Sequence, residues 1–125
     1  MQEALIAPGK WTPACGAAAV STLLARGVSF TALIASNDDM AIGAIKQLHE
    51  CGLSVPEQVS VVGFDDIALA PYVIPSLASV KMPVTEMIQE TISRLITMVE
   101  EGEAGELPSF SGKLVRRDSL KRLLE

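Results

Sequence analysis

Phe30-Thr31-Ala32-Leu33-Ile34-Ala35-Ser36-Asn37-Asp38-Asp39-Met40-Ala41-Ile42-Gly43 runs from an apolar stretch through a polar turn into a segment of helical periodicity. The apolar run over 30–35 has the length and composition of a strand. Asn37 or Asp38 is positioned to cap a following helix, and Asp38 and Asp39 suit its positive end. Ala41, Ile42, Ile45 and Leu48 form that helix's inward face, and Gly52 stands where a left-handed residue ends it. Strand, turn and helix in this order are the unit of an α/β fold.

A second unit ends in Gly63-Phe64-Asp65-Asp66. The run over 59–64 holds almost no polar residue, which predicts a parallel strand covered on both faces. Two strand ends thus bring Asn37 and Asp65 toward one rim, the place where ligands gather in open α/β sheets.

Working outward, Thr12-Pro13 forms an N-cap and first-turn pair. Ala17, Val20, Leu23 and Leu24 then recur at helical spacing until Gly27, predicting a helix over 13–26. After a turn at Pro56 and the second strand, Pro71 and Pro75 exclude a helix over 67–80, and a short strand is expected over 78–82. Pro83 opens the strongest amphipathic segment. Val84, Met87, Ile88, Thr91, Ile92, Leu95, Ile96 and Val99 make one apolar stripe that ends at Gly102. A loop over 102–109, a strand over 112–116 and a charged tail follow, and no internal repeat is visible.

At 125 residues and 49% hydrophobic, the chain can build one core and is too short for two ordinary domains. A net charge of −5 without a basic cluster argues against this segment gripping nucleic acid unaided. Cys15 and Cys51 have neither zinc-site spacing nor the density of a disulfide framework, so reduced thiols in a cytosolic setting are expected. No metal or other cofactor is implied. No apolar run of about 18 residues predicts a membrane span, and the amino terminus lacks the basic and apolar regions of a signal peptide.

Gly9-Lys10-Trp11, Ala35-Ser36-Asn37-Asp38-Asp39-Met40-Ala41-Ile42-Gly43-Ala44, Val61-Val62-Gly63-Phe64-Asp65-Asp66-Ile67, Ser79-Val80-Lys81 and Leu114-Val115-Arg116-Arg117-Asp118-Ser119 resemble, in order and spacing, the C-terminal part of a LacI/GalR-family bacterial transcription regulator. Lys10-Trp11-Thr12-Pro13 and Val84-Thr85-Glu86-Met87-Ile88-Gln89-Glu90 are most similar to members controlling β-glucoside utilisation. The resemblance implies part of a two-lobed core of periplasmic-binding-protein type, a three-layer α/β sandwich with a parallel sheet. Residues 1–83 and 112–125 then belong to the second lobe, and 84–111 to a crossover helix and return belonging to the first. The chain is expected to be a truncated product whose Met1 falls inside normally continuous coding sequence. Alone, it should be prone to aggregate and bind effector weakly.

The resemblance further implies a non-enzymatic repressor, with a sugar bound in the cleft between lobes and operator DNA held only through a helix-turn-helix absent from this chain. Trp11 matches the aromatic that stacks on the effector, Asn37 the amide that contacts it, and Asp65 the acid at the second strand end. Ile42, Ile45 and the segment from Ile67 through Tyr72 to Ile74 match places where such proteins pair as homodimers; core packing is the competing reading.

Each site residue also has a plainer reading: Trp11 as a rim aromatic, Asn37 as a helix cap. Asp65-Asp66 invites an acid–base pair for phosphoryl or glycosyl chemistry. Strand neighbours point to opposite faces, however, so Asp65 is read as a ligand and Asp66 as a loop or cap residue. His49 is read as a surface residue late in its helix. A periplasmic sugar-binding protein, which shares the core fold, is the alternative function.

Overall fold

The first helix begins where its cap is. In the computed structural model, which describes residues 3–103, 105–106 and 108–122, the Thr12 hydroxyl accepts from the Cys15 amide, and Pro13 opens α1 (Pro13–Ala25). Gly27 follows in the left-handed conformation, φ 68°, which releases the chain from the helix. β1 (Ala32–Ile34) is shorter than its apolar run. Of the two expected caps for α2 (Asp38–Glu50), Asn37 is the one used: its side-chain oxygen accepts from the Met40 amide at 2.9 Å.

β2 (Ser60–Phe64) and β3 (Ala78–Lys81) flank a connection that holds only a short 3-10 turn at Ala70–Tyr72. α3 (Val84–Glu101) and β4 (Lys113–Val115) complete the elements. Gly102, φ 85°, ends α3 as expected. In the loop expected over 102–109, Ala104 and Leu107 lie outside the described residues, as do Met1, Gln2 and the last three residues of the charged tail.

The sheet runs β1-β2-β3-β4, parallel between the first three strands and antiparallel at β4. This is the expected α/β class with a parallel-dominated sheet. Ile34 lies opposite Val62, so Asn37 and Asp65, each three residues further on, leave adjacent parallel strands at the same level.

The core lies between this sheet and the α1–α2 pair, around Val20, Ala41, Leu48, Val61 and Leu77. The helices approach through two glycines. A Cβ on Gly16 would sit 2.0 Å from the Met40 carbonyl oxygen, and one on Gly43 1.8 Å from that of Pro13. Only glycine permits that distance between backbones.

Two features depart from expectation or extend it. Val61 and Gly63 are buried against α2, whereas Ser60 and Val62, on the opposite face, are only partly covered. The apolar run therefore has one fully covered face, because no described helix packs on the other. The C-terminal segment, in turn, completes the sheet. Ser119, fully buried, donates its hydroxyl to the Val61 carbonyl at 2.6 Å and accepts from the Ala78 amide at 2.8 Å, joining β2 to β3 where they diverge.

Candidate functional site

Trp11 and Asn37 meet directly. The Asn37 amide nitrogen donates to the Trp11 carbonyl at 3.0 Å while its oxygen caps α2. One side chain thus serves both roles left open by the sequence, a cap and a rim group, through different atoms. Trp11 has φ 62° and is 65% exposed. A large apolar ring held in solvent by a left-handed backbone is a feature that packing alone does not produce.

Asp65 leaves β2 at φ 102° and Asp66 follows at φ 53°. Together with Trp11 these are the non-glycine residues of positive φ among the described residues, and all three stand at the end of the sheet where Asn37 emerges. The two carboxylates separate. Asp65 is exposed, whereas Asp66 turns inward to Arg117, 2.7 Å away, and Lys81, 3.6 Å away. Asp66 thus lies in the loop after β2, as expected, and also serves as an ion-pair partner, so the two carboxylates do not converge as an acid–base pair.

Sequence reasoning missed the group beneath this rim. Asp38, read as a possible helix cap and a partner for the helix dipole, is fully buried. Its Oδ1 accepts from the Ser79 hydroxyl at 2.6 Å and its Oδ2 from the Ile67 amide at 2.8 Å. The available signal was Ser79 itself, a lone hydroxyl inside the apolar strand Ala78–Lys81, which requires a buried partner. Gly63 makes room for the pair, since a Cβ there would meet Asp38 Oδ1 at 2.1 Å.

Other expected residues fall differently. Ile45 is a core side chain, 8% exposed, which favours the competing reading of core packing over a dimer contact. Ile42 and Ile67 are half-buried against that core, and Tyr72 is 80% exposed. His49 is exposed in the last turn of α2. Cys15 is half-buried near the Trp11 loop. Hydrogen bonding of its thiol to the Thr12 side chain, with help from the Lys10 amide and charge, holds that thiol below the usual range against some desolvation.

Among the described residues no group of three His, Cys, Asp or Glu side chains converges as a metal site. Nor is any described helix long and apolar enough to cross a membrane. A concavity of about 620 Å³ runs beside the free edge of β1 between Ile6, Leu23, Phe30 and Leu33. Its walls are almost wholly apolar, which suits packing against another element better than a polyhydroxylated ligand.

The rim therefore offers an exposed aromatic face, an amide and a free carboxylate. Residues 3–120 match the model of the periplasmic binding protein-like domain. The HTH-type transcriptional regulator AscG of Escherichia coli (strain K12) is 67% identical over 120 residues, which are 96% of this chain and 36% of that protein. A sugar-binding transcriptional regulator (LacI family) from Escherichia coli, crystallised with phosphate, superposes at TM-score 0.86 with 67% identity, covering 96% of this chain and 43% of that one. The transcriptional regulator CelR in complex with cellobiose superposes at 0.83 with 31% identity, over 95% and 37%. The chain thus spans about a third of the length of the curated relatives it matches.

Proposed function

The chain belongs to the periplasmic binding protein-like family, in the form carried by LacI-family transcriptional regulators, and we propose that it is one wall of the effector cleft of a cytoplasmic, sugar-responsive repressor. The observation that supports this reading is that the Asn37–Trp11 bond and Asp65 lie at the same end of adjacent parallel strands, with Trp11 and Asp65 on positive-φ backbone. Each suits a pyranose. An indole face packs on its C–H face, an amide both donates and accepts, and a carboxylate accepts strongly from hydroxyls.

Residues 1–83 and 112–125 form this wall, and 84–111 cross into a first lobe that supplies the other. Support comes from α3, in which no residue is buried although it carries the longest apolar stripe of the chain. A sugar that touches both lobes stabilises the closed state by contacts the open state lacks, which shifts the population of DNA-binding geometries. Operator contact belongs to a helix-turn-helix outside these residues. The regulator relatives favour this reading over a periplasmic carrier.

Isothermal titration of the full-length protein with cellobiose and salicin tests the reading. Trp11→Ala weakens binding about thirtyfold, or about 2 kcal/mol, the loss typical of an aromatic anchor, and Asp65→Asn weakens it as well. Absence of heat from both sugars, or unchanged affinity in both variants, overturns it.

The partner of this lobe is a second copy of the protein, through the 67–74 segment with Ile42 as a flanking contact. Leu69, Tyr72 and Ile74 are 51%, 80% and 94% exposed, an apolar cluster of the sort that marks an interface. Tyr72→Asp raises the dimer dissociation constant at least about tenfold in sedimentation equilibrium, the effect of one interface anchor. An unchanged dimer removes this segment from the interface.

A further inference from the structure

We infer that Ser79, Asp38 and Arg117, none of which reaches the rim, are positioning residues that aim Asp65 into the effector cleft. The inference rests on the effector reading above. It goes beyond that reading by naming what sets the Asp65 carboxylate in place.

Three successive amides of the turn are anchored. Asp65 N–H donates to the Val80 carbonyl at 3.0 Å, Asp66 N–H to Ser79 Oγ at 3.0 Å, and Ile67 N–H to Asp38 Oδ2 at 2.8 Å. Ser79 has a single hydroxyl proton, and the carboxylate of Asp38 takes it at 2.6 Å. A lone pair is thereby left for Asp66 N–H, so the hydroxyl cannot rotate away without losing both bonds. From the other side, the Arg117 guanidinium grips Asp66 Oδ1 and the Leu77 carbonyl, each at 2.7 Å.

These anchors account for the backbone. Two consecutive non-glycine residues in left-handed conformation persist only where surrounding groups determine them. The Asp65 side chain contributes nothing to holding the turn, because its exposed carboxylate has no hydrogen-bond partner among the described residues. The turn is built around a side chain that it leaves free. Asp38 also directly follows Asn37, so one buried carboxylate ties the amide and the acid of the rim to a common base. The distance between those two ligand groups is thereby fixed before any sugar arrives, which lowers the ordering cost of binding.

The test is a double-mutant cycle read by titration of the full-length protein with cellobiose. Ser79→Ala weakens binding about tenfold when Asp65 is present and less than about twofold in the Asp65→Asn background, the signature of a residue acting through another. A merely structural serine weakens binding equally in both backgrounds, and that result overturns the inference while leaving the effector reading intact. If Asp65→Asn alone changes nothing, the inference fails, and the effector reading falls with it only where Trp11→Ala also leaves the affinity unchanged. Arg117→Lys, which removes the fork from the opposite side of the turn, is carried through the same cycle and shows the same pattern. Should Ser79→Ala not fold, equal losses for Arg117→Lys in the two backgrounds still refute the inference.

Discussion

Gly43→Ala lowers the stability of this fold by about 3 kcal/mol, the upper part of the range for overpacking a close contact. The new methyl would sit 1.8 Å from the Pro13 carbonyl oxygen, and both partners are backbone, so neither can rotate aside. α1 must lift from α2, and the reciprocal contact of Gly16 with the Met40 backbone opens with it. Pro13 lies two residues from Trp11, so the same movement strains the bond from Asn37 to the Trp11 carbonyl. Gly52→Ala is the control. Gly52 has φ 77° with nothing near its missing Cβ, so alanine there costs only the left-handed backbone penalty, about 1 kcal/mol. Denaturant midpoints of the two variants measure the difference. Equal shifts would show that the helices separate freely and that their glycines are conformational rather than steric.

Local signals were legible because the groups that produce them are close in the chain. Thr12, Pro13 and Gly27 bound α1, and Asn37 and Gly52 bound α2, through contacts of a few residues' span. That Asn37 and Asp65 leave adjacent strands at one end of the sheet was legible too, since parallel neighbours present their carboxyl ends on the same side. The buried bond from Ser79 to Asp38 joins residues 41 apart in sequence, and Arg117 reaches Asp66 across 51. No periodicity reports a pairing of that span. Ile45 shows a related limit. An apolar side chain on the inward stripe of a helix reads the same whether its neighbour is the chain's own sheet or a second subunit, and only the fold shows that α2 spends it on the core. The half-covered face of β2 differs from expectation within this chain for a different reason. Its composition matches burial on both sides, and the described elements cover one.

Ile92→Glu combined with Ile96→Lys has opposite outcomes in two contexts, and the contrast locates the partner of α3. In the 125-residue chain both isoleucines are more than half exposed, within a stripe that includes Val84, Ile88, Leu95 and Val99. An apolar band along a helix about 27 Å long is larger than single chains usually leave open, and self-association through it is expected. The two substitutions interrupt the band and add a Glu-to-Lys pair at i and i+4, which favours the helix by about 0.3–0.5 kcal/mol. The isolated chain should therefore stay monomeric to about tenfold higher concentration, with its melting temperature unchanged because no core residue is touched. In the full-length protein the same pair removes two buried isoleucines, each contributing about 1.5–3 kcal/mol, and places two charges in an apolar interface at further cost. Loss of more than about 4 kcal/mol there, beside improved behaviour of the isolated chain, is the expected result. Full-length protein that tolerates both charges would mean that the first lobe does not cover this helix, and residues 84–111 would have to be returned to the second lobe.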